Sequence, residues 1–291
     1  MAELIVALIG GLSLGATYAL IALGVVLVFR ATNAFNFAHG EFMLLPAYIV
    51  GSWQATHTLN LGLSLVVALV LMMAIGTTFY WIVLRRTAGL GPFMAVIATL
   101  GMASVLDGVM IIWFGSGQYT IGFPGLTQGI VMIGGARISS SSLILTAFTL
   151  LIAITMAVIL RLSPMGRRLK AAGQSALLAS QSGINVRRMY LGAWAAASLL
   201  AAIAGIAYGT SNLVGTSMVG VALSAFPAIL IGGMDSVEGA IVGGLLVGVL
   251  QGFIAAYWNP QLLNVLTYAV LLVVMLIFPQ GLFGTRIVSR V

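Results

Sequence analysis

A chain of 291 residues that is 61% hydrophobic and 6% charged is not a soluble domain, because soluble domains carry about 25% charged residues. Its net charge of +7 reflects 12 Lys and Arg against five acids. Most of these basic residues sit at the ends of apolar runs, where they orient a membrane protein rather than bind nucleic acid. With no cysteine, two histidines and five scattered acids, a disulfide framework, thiol chemistry and a metal cage are all excluded.

Residues 4–29 form the first predicted span, longer than the roughly 20 residues needed to cross the hydrocarbon core. No basic leader or cleavage site precedes it, so it reads as a retained span. Gly10, Gly11, Gly15 and Gly24 recur along it with Ser13, Thr17 and Tyr18. Small and hydroxylic residues at helical spacing mark a face for other helices rather than lipid. Arg30 closes the span. Residues 31–48, ATNAFNFAHGEFMLLPAY, then carry Asn33, Asn36, His39 and Glu41. That run is too apolar for a loop and too polar for a lipid-facing helix. It reads either as a discontinuous helix beside a transport path or as a turn leading into a short tilted span. On a continuous helix Asn33, Asn36 and His39 would share a face, with Glu41 off it; Gly40 and Pro46 weaken such continuity.

The next spans are 61–84, ended by Arg85 and Arg86, and 92–114, which carries Thr99, Ser104 and, near its end, Asp107. Residues 115–137 are polar and Gly-rich, with Pro124, and are expected outside. Spans follow at 143–160, 189–211, 216–234 (broken at Pro227), 239–257 and 262–278. Asp235 and Glu238 lie in the turn 231–244. The predicted fold is an all-α polytopic membrane protein, one domain over 1–291 with about nine transmembrane helices, some discontinuous. The count is eight if one Gly/Pro-rich segment only dips into the membrane. Nine spans put every basic cluster except Arg137 on one side, with the N-terminus outside and the C-terminus inside.

Residues 161–188, RLSPMGRRLKAAGQSALLASQSGINVRR, hold half of the chain's basic residues and belong on the cytoplasmic face. A short helix is legible here: Ser175 as N-cap, 176–182 as its body, and Gly183 as the left-handed stop. Leu177 and Ile184, seven apart, are expected on one face. The plainer alternative is a solvated loop whose charges only set topology. No GxxxxGK[ST] loop is present, so energy from a nucleotide would come from another chain.

The segments GLSLGATYALIALG, NFAHGEF, SPMGRRLKAAGQ, ALLASQSGINVRR, ILIGGMDSVEGAIVGGLLVG and FPQGLFG together resemble the LivH-type permease of branched-chain amino acid ABC importers, over nearly the whole chain. Two departures are Gly173 and Gln174, where such permeases carry an acid before the short helix, and the charged Asp235 and Glu238. The resemblance implies an inner-membrane permease that is not itself an enzyme and binds no cofactor, with ATP and Mg on partner subunits. The implied partners are a LivM-type second permease, two cytoplasmic LivG/LivF-type ATPases and a periplasmic binding protein. The N-terminus would be periplasmic and the C-terminus cytoplasmic. The substrates would be branched-chain or related amino acids, amides or small organic acids. It also implies a coupling helix docking on the ATPases through Ser175, Leu177, Leu178, Ala179, Gln181, Gly183, Ile184, Asn185 and Arg187. Candidate path residues are Ser13, Thr17, Asn33, Asn36, His39, Glu41, Thr99 and Ser104. Each has an alternative as an interhelical hydrogen bond worth about 0.6 kcal/mol. An ion-coupled secondary transporter is the competing class; it calls for ionisable groups at membrane depth, and the spans offer only Glu41 and Asp107.

Overall fold

The computed structural model describes residues 2–87, 91–124 and 129–284, and the statements below concern those residues. The predicted basic tail beyond residue 284 lies outside them. In chain order the helices begin with α1 (Ala2–Thr32), α2 (His39–Ala55) and α3 (Leu61–Phe79). A π-turn (Tyr80–Leu84) extends α3 into the single turn α4 (Arg85–Thr87). After α5 (Pro92–Phe114) comes a hairpin of β1 (Ile130–Ile133) and β2 (Ala136–Ser139). Then follow α6 (Ser140–Leu162), α7 (Pro164–Gln174), α8 (Ala176–Gln181) and α9 (Val186–Gly209). The chain continues through α10 (Val219–Ser224), α11 (Phe226–Gly232), α12 (Val237–Tyr257) and α13 (Leu263–Ile277).

All nine predicted spans are therefore helical. Six helices are long and apolar enough to cross a membrane. The other three segments, His39–Ala55, Thr216–Gly232 and Leu263–Ile277, are shorter.

The packing explains the glycines. α1 lies along α12 with backbone against backbone. A Cβ added at Gly11 would stand 2.8 Å from Val249 Cα, and one at Gly15 would stand 2.9 Å from Leu245 Cα. From the other side, a Cβ at Gly244 would meet Ala19 N at 2.5 Å, and one at Gly252 would meet Gly11 Cα at 2.7 Å. Helices in lipid gain nothing from hydrophobic exclusion by one another, so close packing and interhelical hydrogen bonds must hold them. Both occur here. Buried Tyr18 donates to Gln251 Oε1 at 2.7 Å, and Gln251 Nε2 donates to Thr267 Oγ1 at 3.2 Å, tying α1, α12 and α13 into one unit. α9 packs on the other side of α1, with Trp194 fully buried and edge-on to Phe79 of α3.

Several expectations need correction. Residues 31–48 are interrupted only at 33–38; α2 then runs unbroken past Pro46. A proline inside a helix costs about 3 kcal/mol, and here a nearly wholly buried helix absorbs it. The connection 115–137 also holds unpredicted secondary structure, the β1–β2 hairpin. Gly134 and Gly135 both have positive φ (56° and 86°) and turn β1 into β2, pairing Ile133 with Ala136. Two such residues in succession make the two-residue turn that suits the strand twist. The polar stretch 161–188 holds two helices, not one. Ser163 starts the extra helix α7 by accepting from Gly166 N at 3.1 Å.

The glycine contact makes a paired test. Alanine gains about 1 kcal/mol of helix propensity over glycine at either Gly10 or Gly11. A Cβ at Gly10 meets nothing within 4 Å. Gly10→Ala should leave the melting temperature of the purified protein unchanged or raised, and Gly11→Ala should lower it. Equal responses would contradict the backbone contact.

Candidate functional site

The site forms where α1 stops. Asn33 takes a left-handed conformation (φ 51°) that ends the helix, an arrangement asparagine tolerates better than most residues. Its side chain donates to Gly173 O at 3.1 Å, which fastens the end of α1 to α7. Asn36 then folds back on the chain, its Oδ1 accepting from Ala38 N at 3.1 Å just before α2 begins. Ala38 offers α2 no side-chain cap. Thr99 of α5 is fully buried and holds the interruption from the far side. Its hydroxyl accepts from Phe37 N at 3.3 Å and donates to Val96 O at 2.9 Å.

Among the described residues, five buried polar side-chain atoms have no partner: Asn36 Nδ2, both ring nitrogens of His39, Glu41 Oε2 and, on α9, Trp194 Nε1. His39 lies against Gly24 of α1, where a Cβ would collide with its ring at 2.6 Å. Buried polar groups are nearly always paired, and leaving one unpaired costs about 1–3 kcal/mol. A cluster of such groups at a helix break in a membrane protein marks a place that some ligand or water must satisfy.

Of the predicted path residues, the structure places Asn36 and Thr99 at the break and His39 and Glu41 in the first turn of α2, with His39 turned to Gly24 of α1. Asn33 stands at the rim. It lines a cavity of about 380 Å³ with Thr32, Tyr80, Thr87, Ala176 and Tyr190. Ser13 and Thr17 bond to each other within α1, Thr17 Oγ1 donating to Ser13 O at 3.3 Å. Thr17 lies 16 residues before Asn33, about 24 Å along the helix. Ser104 is exposed and returns its hydroxyl to Leu100 O at 3.2 Å. The expected shared face of Asn33, Asn36 and His39 does not exist, because residues 33–38 are not helical.

The short helix in the polar stretch ends as its residues require. Ser175 Oγ accepts from Leu178 N at 3.3 Å. Gly183 has φ 79°, with Gly183 N bonded to Ser180 O and Ile184 N to Ala179 O, each at 3.0 Å. That paired closure is the glycine stop that satisfies a helix's last carbonyls. Asn185 then caps α9, its Oδ1 accepting from Arg188 N at 3.0 Å. Leu177 and Leu178 are 68% and 62% exposed, whereas Ala179 is buried against the body. Gln181 and Arg187 are exposed. Ile184 does not share the face of Leu177, because the turn at Gly183 carries it back toward the protein.

The first residue of α8, Ala176, lines the same cavity as Asn33. Tyr190 of α9 also lines it, and its hydroxyl donates to Ala172 O of α7 at 3.0 Å. Break and short helix are thus two walls of one space. Sequence reasoning missed three groups around this region: the Tyr18–Gln251–Thr267 chain, the extra helix α7, and the rings of Phe35, Phe37 and Phe226.

Many apolar helices around an interrupted, polar, occluded centre, with a capped surface helix beside it, define a membrane transport permease. The chain belongs to the family described as branched-chain amino acid transport system / permease component, whose sequence profile matches residues 7–277. It is 29% identical to the high-affinity branched-chain amino acid transport system permease protein LivH of Escherichia coli K12, over 97% of this chain and 96% of that one. It is 28% identical to BraD, the corresponding permease protein of Pseudomonas aeruginosa, over 98% and 97%. It is also 28% identical to LsrC, an autoinducer 2 import system permease protein of Shigella flexneri, over 87% and 74%.

The unpartnered cluster gives a two-sided prediction for Asn36→Leu, which removes both the acceptor for Ala38 N and the free amide. The loss of the bond from Ala38 N to Asn36 Oδ1 should cost about 1 kcal/mol in thermal stability of the assembled complex. Contact with solute should make uptake per folded complex slower or change its selectivity. Stability and transport measured on one purified sample separate these effects, and normal values for both would leave 33–38 an ordinary turn.

Proposed function

We propose that this chain is one of two permease subunits of an ABC importer for branched-chain or related amino acids, amides or small organic acids. A LivM-type permease is its counterpart, two LivG/LivF-type ATPases supply ATP and Mg, and a periplasmic binding protein delivers the solute. The observation that carries this reading is the unpartnered polar cluster at the break between α1 and α2. A free α-amino acid carries a carboxylate, an ammonium and an apolar side chain. The uncapped start of α2, with the Asn36 amide beside it, suits the carboxylate, as helix N-termini suit anions. The unpaired oxygen of Glu41 suits the ammonium. The nearby phenylalanine rings suit an aliphatic chain.

In this reading the Arg30 end of the bundle faces the cytoplasm and the hairpin end faces the periplasm. The basic residues of 161–188 favour that orientation. α8 is the coupling helix: exposed Leu177 and Leu178 offer an apolar knob, and Gln181, Gly183, Asn185 and Arg187 present the polar rim. Ser175, Ala179 and Ile184 fix its two ends and its seat. Closure of the ATPases on ATP would pull α8, and the shared cavity together with the Asn33–Gly173 bond would carry that pull to the break. The transport step is mechanical, a rocking of helices between two access states.

The chain has no cysteine, so single introduced thiols report cleanly. A cysteine replacing Gln181 should react with an impermeant thiol reagent only from the cytoplasmic side, and bound ATPases should shield it. One replacing Gln118 should react only from the periplasmic side and ignore the ATPases. Opposite sidedness at either position would overturn the orientation. Undiminished labelling of position 181 in the ATPase-bound complex would overturn the coupling role of α8.

A further inference from the structure

Two interruptions of helix in this chain meet at a single group of aromatic rings. The break at 33–38 carries Phe35 and Phe37. At the joint between α10 and α11, Ala225 N still donates to Val221 O at 3.1 Å, and Phe226 starts α11 with Pro227, which has no N–H to donate, behind it. Phe226 stacks on Phe35 (centroids 5.8 Å apart, planes at 27°) and on Phe37 (5.9 Å, 23°). Phe35 and Phe37 lie 6.3 Å apart, and Phe29 of α1 closes on Phe35 at 5.0 Å.

The burial pattern here separates the polar groups from the rings. The rings of Phe35, Phe37 and Phe226 are only half-buried, whereas the polar side chains of Asn36 and His39 are almost wholly buried, at 1% and 3% exposure. Polar side chains turned inward with apolar rings turned outward are the arrangement a membrane protein requires. An apolar layer covering an unsatisfied polar pocket is what a seal against water requires, since a narrow passage without polar atoms empties of water.

We infer that Phe35, Phe37 and Phe226 form the hydrophobic gate of this permease, on the Arg30 side of its polar break. The inference rests on the permease reading above. The gate is drawn from the non-helical residues 33–38 and from the first residue of α11, where Pro227 leaves a gap in the hydrogen-bond ladder, so a few dihedral changes can part the rings. The remainder of each segment is anchored. Residues 35–37 hang from Thr99 through one long bond, Phe37 N donating to Thr99 Oγ1 at 3.3 Å. α11 is locked behind the gate by close backbone packing of Gly232 on Gly239. Bending at Ala225 therefore swings α10 on α11, and the side chain of Phe226, at that hinge, can turn without disturbing α12. Stacked faces also admit an aliphatic side chain between them while rejecting bare water, which ties the gate to apolar amino acids.

The test uses the complete importer in proteoliposomes with radiolabelled leucine as the probe. ATP-driven uptake by the unmodified complex reports separately on the permease reading. The double variant Phe37→Ala with Phe226→Ala should raise ATP-independent leucine leak by about tenfold or more, because the layer is lost. The double leucine variant keeps the layer apolar and should leak within about twofold of the unmodified complex. A normal leak in the assembled double alanine variant overturns the gate. A second arm does not depend on that variant folding. Cysteines replacing Phe37 and Phe226, bridged by a short cleavable thiol cross-linker, should reduce uptake to about a tenth, with recovery on cleavage. Undiminished uptake by the bridged complex overturns the gate.

Discussion

The rest of this structure depends on the contact between the backbones of α1 and α12. Inside a bilayer, side chains gain nothing by leaving lipid for one another, so association rests on how closely helices approach and on which hydrogen bonds they make. Gly11 and Gly15 on one helix and Gly244, Gly248 and Gly252 on the other leave no room for a Cβ. The Tyr18–Gln251–Thr267 chain then adds α13 at the same depth. The result is a stiff unit whose end, at Arg30, is fixed in space. That fixed end decides where the break at 33–38 sits, and hence where the buried polar groups and the phenylalanine rings can be.

Around this frame the adjustable parts cluster at one end. Asn33 ties the break to α7, Ala176 brings α8 to the wall of the same cavity, and the π-turn Tyr80–Leu84 forms another wall. Extra residues in a helical turn are commonly found at functional sites. The residues after α13 return to this end as well, with Leu282 N bonded to Ile231 O at 2.8 Å and Phe283 N to Gly232 O at 3.1 Å. Arg161 and Glu238 pair at 3.5 Å, but their side chains are 70% and 46% exposed, so this contact tunes the region rather than holding it. The stiffness is in the glycine contact; the charges at the end set orientation and neighbours.

Much of this was legible in the sequence where the signal is local. Apolar runs gave the spans, because a bilayer demands length and hydrophobicity together. Ser175 and Gly183 gave the ends of α8, because caps follow from one side chain and one backbone conformation. Asn33 and Asn36 in an apolar run gave the break, and Pro227 the second interruption. The hairpin was also written there as Gly134–Gly135 between strand-forming residues, a turn signal overshadowed by the polar, Gly-rich setting. Non-local pairings were not legible. Nothing in the sequence links Tyr18 to Gln251, 233 positions away, or brings Phe226 onto Phe35 and Phe37. Ser104 illustrates the converse: a polar residue in a span can satisfy itself on its own helix and look outward, a choice that depends on rotation about the helix axis. The site is therefore half local, in Asn36 and Thr99, and half tertiary, in the rings that cover it.

The central claim is that α1 and α12, with α11 packed on α12, form a fixed frame against which α10 moves. Pulsed electron-spin distance measurement tests this most directly, using label pairs on exposed positions of the otherwise cysteine-free chain within the assembled importer. The pair Leu8–Leu246 spans the frame, and the pair Leu246–Leu223 joins the frame to α10. Between the nucleotide-free and ATP-bound complexes, the first distance should stay constant and the second should change. A shift in the Leu8–Leu246 distance as large as that in Leu246–Leu223 would contradict the account.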